Sequence, residues 1–274
     1  MRPFTLLKTS TIAVLALSTF ITPAFANDAE KTTEVKTPPW SMADKYWGAE
    51  EMAESREEFQ SKNGAMPGYL VMGDRLEWQD TGGDGAFLWD AQGWYGGDLN
   101  KLWIKTEGEY SLEENEVEDA EVQALWSRAI APFWDVQAGV RYDLEPKGRT
   151  HAVLGVQGLA PYWFEVDAAA FLSTDGDLSA SIEAEYELRF TQRITLQPRA
   201  EIGFSASDIP ELEIGSGLTN LDTGVRLRYE IKREFAPYIG VEWQKSFGST
   251  ADFIRAGGGD PDNIVAVTGL RAWF

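Results

Sequence analysis

The run Leu178-Ser179-Ala180-Ser181-Ile182-Glu183-Ala184-Glu185-Tyr186-Glu187-Leu188-Arg189 sets an apolar or small residue at every even position and a polar one at every odd position. A period of two means a strand with one apolar and one polar face, because successive side chains leave a strand on opposite sides. The run is long as well. Globular strands average about five or six residues, whereas a tilted strand crossing a membrane needs about nine to eleven.

The same pattern extends in both directions. Phe87, Trp89, Ala91 and Tyr95 alternate with Asp90, Gln92 and Trp94, and Leu102, Ile104 and Thr106 with Trp103, Lys105 and Glu107. Val136, Ala138, Val140 and Tyr142 alternate with Gln137, Arg141 and Asp143, and Ile194, Leu196, Ala200 and Ile202 with Thr195, Gln197, Arg199 and Glu201. Twelve strands are expected, starting near residues 69, 86, 101, 118, 133, 150, 162, 178, 193, 221, 235 and 263. Connections after odd-numbered strands are longer and polar, such as 205–220 and 248–262, while those after even-numbered strands are tight, such as Gly96-Gly97-Asp98. Long loops at one end and short turns at the other mark outer-membrane barrels. The last strand puts Ile264, Ala266, Thr268, Leu270, Ala272 and Phe274 on one face, and a terminal Phe on such a strand resembles the barrel-assembly signal. The expected fold is therefore all-β: a twelve-stranded antiparallel transmembrane outer-membrane β-barrel over 68–274. A soluble β-sandwich would need a second layer over these apolar faces and shorter strands.

The residues before the barrel read differently. Residues 1–26 have a basic start (Arg2, Lys8), an apolar stretch from Thr11 to Ile21, and Ala24-Phe25-Ala26 as a cleavage site, the form of a signal peptide. Residues 27–67 carry nine acidic and five basic residues and no period of two, so a mostly disordered or plug-like periplasmic segment is expected. Within it, Ser41 to Phe59 has the makings of one short amphipathic helix.

Composition removes several function classes. Twenty-four Lys+Arg against 44 Asp+Glu give a net charge of −20, which excludes nucleic acid as a partner. With no Cys and one His, there is no thiolate metal site, no disulfide framework and no multi-His centre. His151 is the sole base for a Ser–His–Asp hydrolase and no nucleophile elbow accompanies it, so no enzyme activity is expected.

If the apolar faces meet outer-membrane lipid, their alternates line a lumen of sixteen carboxylates and eight basic side chains. Ionic bracing between strands is the plainer use of these charges. A net-negative lumen also attracts cations. Sequential pairing brings Glu165 and Asp167 beside Glu183 and Glu185, a candidate cation patch whose oxygen donors select no particular metal. Met42, Met52 and Met66 are candidate thioether donors suited to Cu(I), whereas Met72 is expected to face lipid. His151 is a candidate ligand or a plain polar residue. Asp74 and Arg128 break the parity and fall on the lipid side unless a bulge or strand end intervenes.

Several long segments carry a family resemblance: 89–98 (from Trp89-Asp90-Ala91 to Gly97-Asp98), Leu102-Trp103-Ile104-Lys105-Thr106-Glu107-Gly108-Glu109, 128–143, 155–165 and Arg233-Glu234-Phe235-Ala236-Pro237-Tyr238-Ile239-Gly240. Over roughly 68–274 the chain resembles the copper resistance protein B family of bacterial outer-membrane proteins. The resemblance implies an outer-membrane barrel that binds copper, as Cu(I) or Cu(II), and assists its export or sequestration. It also implies a periplasmic multicopper oxidase and copper-binding proteins as partners. Family members often carry a Met- and His-rich N-terminal region, whereas here residues 27–67 hold three Met and no His. The alternatives are a general cation-preferring porin and, from another class, an outer-membrane hydrolase.

Overall fold

The structure, a computed structural model, describes residues 39–63, 66–80 and 85–274. The expected signal peptide and residues 27–38 of the expected tail lie outside the described residues. Two units make up the chain, residues 1–58 and 59–274.

In the first unit a 3-10 turn over Pro39–Ala43 leads to α1 (Asp44–Trp47) and α2 (Ala49–Asn63), the latter running on into the second unit. The sequence led us to expect one helix from Ser41 to Phe59. Gly48 splits it, because at φ 89° its backbone sits in a left-handed region that favours glycine. Neither helix buries a residue.

The second unit is the barrel. Its strands are β1 (Gly68–Asp80), β2 (Gly85–Gly96), β3 (Asn100–Ser111), β4 (Glu116–Ala131), β5 (Trp134–Glu145) and β6 (Arg149–Ala160). Then come β7 (Phe164–Ser173), β8 (Leu178–Glu185, resuming at Leu188–Arg189), β9 (Ile194–Ser205), β10 (Gly217–Tyr229), β11 (Phe235–Ser246) and β12 (Asp262–Trp273). Each strand pairs antiparallel with its sequence neighbours, and β12 pairs with β1, which closes the sheet. Phe274 completes the seam: its N–H donates to Val71 O at 2.9 Å and its carbonyl accepts from Val71 N at 3.1 Å. Closure joins the first and last strands of the described sheet, so that neither is left as a free edge, the condition for a sheet to sit in lipid.

β8 differs from the unbroken strand the alternation implied. Tyr186 N donates to Pro198 O at 3.1 Å, but Pro198 has no N–H to return the bond. The ladder lapses there and resumes at Leu188↔Leu196.

β1 carries the irregularity that matters most for the interior. Gly73 faces Ala91 and Arg75 faces Asp90, so Asp74 is an extra residue, and the same shift occurs against β12. A bulge of one residue reverses the in–out parity on one side of it. Beyond it Glu77 and Gln79 are buried inside; before it Tyr69 and Val71 point outward, 70% and 57% exposed, and Met72 turns into the lumen. The expectation that Met72 faces lipid is corrected, and the bulge is the exception that takes Asp74 off the lipid side. Arg128 does stay on the outer face, opposite Val136 and close to the turn that ends β4.

The outer face is apolar through its middle, with Leu154, Ile182, Ile239 and Val241 exposed. The inner face is more mixed than alternation implied. Leu125, Val153 and Phe171 form a buried cluster inside the barrel, with Trp103 and Ala169 packed against it. The loop expected over 248–262 contains α3 (Gly248–Gly257), anchored by the buried Ala251. The β9–β10 connection closes on itself through paired hydrogen bonds between Ile209 and Ile214, and Gly215 N donates to Thr250 Oγ1 of α3 at 2.8 Å.

Candidate functional site

The barrel encloses a cavity of about 1090 Å³ with both acidic and apolar walls. Glu165, Asp167, Glu183 and Glu185 line one side, and Trp103, Leu125, Val153 and Phe171 another. At the outer end Ile209, Leu212 and Ile214 of the β9–β10 connection also face the cavity. Glu211 on the same connection is hydrogen-bonded by Lys147 of the β5–β6 turn, and that ammonium holds the exposed carboxyl below the usual carboxylate range.

Arginines order the interior acids. Arg226 on β10 makes a two-pronged contact with Glu77 (2.8 and 2.8 Å) and a further bond to Glu242 (2.6 Å), all three buried. Arg75 bonds Asp90 at 3.1 Å and Glu107 at 2.7 Å. Arg199 bonds Glu183 at 3.0 and 2.9 Å and Glu201 at 2.5 Å, with Glu185 at 3.5 Å. The planar fork of arginine suits such multiple carboxylate contacts. Arg199 and Glu201 are neighbours on one face of β9, whereas only cross-strand geometry joins Arg226 and Glu77, 149 residues apart.

The expected β7–β8 adjacency is present: Glu165 faces Glu185 and Asp167 faces Glu183. The four carboxylates are not a bare cluster, however. Glu183 is held by Arg199, Glu185 accepts from Gln197 Nε2 at 2.7 Å, and Asp167 is paired with Lys105. Glu165 is exposed to the cavity. Among the described residues no group of three or more His, Asp or Glu side chains is spaced to hold a metal ion.

His151 lies buried on β6, with Nε2 2.8 Å from Asp143 Oδ2. Of the candidate thioethers, Met42 and Met52 belong to the first unit and Met66 to the second; Met42 and Met66 are 67% and 74% exposed. The thioether that reaches the lumen is Met72, whose Sδ is 3.6 Å from Arg271 Nη2. Arg271 also pairs with Asp74 at 2.8 Å and Glu187 at 3.3 Å. Strict alternation hides Met72. The signal that reveals it is Asp74-Arg75, two adjacent charges that cannot occupy opposite faces of a strand with one face in lipid.

Residues 68–274, the whole barrel, match the family described as copper resistance protein B precursor. The chain belongs to the copper resistance protein B family. It is 44% identical over 207 residues to copper resistance protein B of Escherichia coli, covering 75% of this chain and 69% of that one. To the copper resistance protein B homolog of Pseudomonas syringae pv. tomato (strain ATCC BAA-871 / DC3000) it is 40% identical over 250 residues, covering 91% of this chain and 83% of that one. Among solved structures a NanC porin superposes with a TM-score of 0.50 at 11% identity, over 76% of this chain and 100% of the porin, a likeness of fold. Membership of the copper resistance protein B family, with a closed barrel and an apolar outer face, places the chain in the bacterial outer membrane.

Proposed function

We propose that the barrel takes copper as cargo, binding it within the lumen and assisting its export or sequestration at the outer membrane, without catalysing a reaction. The observation that carries this reading is that both curated relatives, at 40% and 44% identity, are named copper resistance proteins. The carboxylates of β7 and β8 form the cation patch. Glu165 offers the most accessible oxygens, Asp167 and Glu183 join when Lys105 and Arg199 give way, and Glu185 is the most buried of the four. Oxygen donors of this kind accept Cu(II) without excluding other divalent ions, and Met42, Met52 and Met66 add Cu(I) affinity ahead of the barrel. A periplasmic multicopper oxidase and copper-binding proteins are the partners that fit this role.

The test is copper tolerance of a strain lacking the protein, complemented by three chains: the natural one, Glu183→Gln with Glu185→Gln, and a triple Met→Leu change at 42, 52 and 66. The natural chain should restore tolerance. In titrations of the detergent-solubilised protein, the double Gln variant should weaken Cu(II) binding and spare Cu(I), and the triple variant should do the reverse. If the deletion leaves copper tolerance unchanged, the copper reading fails and a general cation porin takes its place. If the deletion matters but neither variant alters affinity, the reading stands and both sites are wrongly placed.

A further inference from the structure

The chain has a single His, and the barrel buries it. His151 is 7% exposed and its side chain lines the lumen cavity. Its Nε2 lies 2.8 Å from Asp143 Oδ2. A carboxylate only accepts, so Nε2 carries the hydrogen, and in the neutral ring Nδ1 holds a lone pair. Among the described residues Nδ1 has no hydrogen-bond partner. A buried acceptor left in this way has lost its hydration with no bond in return, and such an orphan calls for a specific cause.

The surrounding charges point to a cation. Asp143 accepts from Arg141 Nε at 2.6 Å, and Glu121 lies 2.5 Å from Arg141 Nη1. Asp119 is within electrostatic reach of both Arg141 and Asp143. Three carboxylates thus surround one guanidinium beside the imidazole. Arg149, two residues before His151, is itself engaged by Asp175 at 3.2 Å and Asp177 at 2.9 Å. The local field is therefore negative. A carboxylate that takes one ring N–H and leaves the other nitrogen bare is also how proteins orient a metal-ligating imidazole: it fixes the tautomer and raises the basicity of the free nitrogen.

We propose that His151 is a metal ligand in the lumen, binding Cu(II) through Nδ1, with Asp143 as its positioning residue. The proposal rests on the reading of the barrel as a handler of copper, and it names a site apart from the β7–β8 carboxylates. Nδ1 has almost no surface open to water, so coordination requires the side chains packed over Nδ1 to draw back while Nε2–H stays on Asp143. One imidazole, assisted by carboxylate oxygens and water, makes a weak site. Weakness suits cargo that has to leave again. The nitrogen adds the preference that oxygen donors lack, since imidazole favours copper and its neighbours over Mg²⁺ or Ca²⁺.

The experiment is pulsed electron paramagnetic resonance of the full, untagged protein in detergent, titrated with Cu(II) alone. The remote ring nitrogen of a copper-bound imidazole modulates the spin echo, and carboxylates and thioethers give no such signal. With one His in 274 residues, the signal has one source. Imidazole modulation is expected in the natural chain and in the Glu183→Gln, Glu185→Gln variant, and should vanish in His151→Asn. Asp143→Asn should weaken Cu(II) binding by on the order of 10–100-fold. Bound Cu(II) without imidazole modulation, or modulation that survives His151→Asn, overturns the proposal and leaves the copper reading intact. Failure of the natural chain to bind Cu(II) at all overturns both. The natural chain's spectrum decides the matter even if a variant fails to assemble, which its gel mobility before and after boiling will reveal.

Discussion

Arg226 is the interior residue with the most at stake. Its guanidinium is 3% exposed and sits between Glu77 and Glu242, at 0% and 4%. Two carboxylates at that depth are tolerable because one planar cation sits between them, offsets half of their charge and supplies three hydrogen bonds in fixed directions. Removing that cation leaves two buried anions facing each other. Arg226→Met should therefore destabilise the folded barrel by about 3–5 kcal/mol, as measured by urea unfolding in detergent or vesicles. Replacing all three residues together with apolar ones of similar volume should recover most of that loss, because the penalty comes from the unpaired charges rather than from losing a favourable pair. A single Arg226→Met change with no effect on the unfolding midpoint would show that the three groups are not the tightly coupled unit described. On the outer face the expected cost has another origin. Ile182→Arg moves a charge into hydrocarbon and should cost about 2–4 kcal/mol if that position lies near the bilayer midplane. Glu183→Arg, one residue along, is no neutral control, since it would set two guanidiniums against each other at Arg199.

At the scale of the strand, the Gly73-Asp74-Arg75 bulge decides which residues see the lumen. It predicts a local reversal that thiol chemistry can read, because the natural chain has no Cys. Met72→Cys should react with a small water-soluble thiol reagent admitted to the lumen, and Val71→Cys should be shielded by lipid. Deleting Asp74 should restore uniform alternation and exchange the two reactivities. If Val71→Cys is the one labelled in the natural background, the bulge is misplaced. This strand also shows how far the sequence alone could be read. Alternation depends on single side chains, so twelve strands, their order and most of their faces were legible from Leu178 to Arg189 outward, with starts within a few residues of those found. A bulge shifts parity without disturbing alternation on either side of it, so Met72 was assigned to lipid. Pro198 was visible, yet its effect on β8 needed the register that sets it opposite Tyr186. The pairing of Glu183 with Arg199 depends on the register of β8 against β9, and that of Glu77 with Arg226 on how closure sets β1 near β10; composition and periodicity encode neither. The apolar cluster of Leu125, Val153 and Phe171 was missed because all three sit on strand faces otherwise read as polar.

For the whole molecule, twelve strands lie between two regimes. Barrels of about eight strands are filled by their own side chains, and those of sixteen to eighteen leave an aqueous channel. Here the interior follows both patterns at once. Around β1, β10 and β11 the Arg226, Glu77, Glu242 and Tyr238 side chains are packed and buried. Beside them a cavity of about 1090 Å³ remains, walled mainly by β2 to β9. Permeation should therefore be small beside that of a wide porin, and its selectivity should follow the excess of acid in the cavity wall. In planar bilayers under a KCl gradient, the reversal potential should carry the sign of cation preference. Arg199 sharpens the test, because it pairs with Glu183 and Glu201 at 2.9 and 2.5 Å and offsets part of their charge. Arg199→Gln should release those carboxylates into the lumen and move the reversal potential further toward the cation limit, with the shift shrinking as salt rises. The protein should keep its heat-dependent gel mobility throughout, since a closed barrel resists detergent until boiled. An anion-selective current in the natural chain would contradict the lumen electrostatics outright. An unchanged reversal potential in Arg199→Gln would mean that the permeating ion passes along the Trp103, Leu125 and Phe171 wall instead, out of reach of the β8–β9 carboxylates.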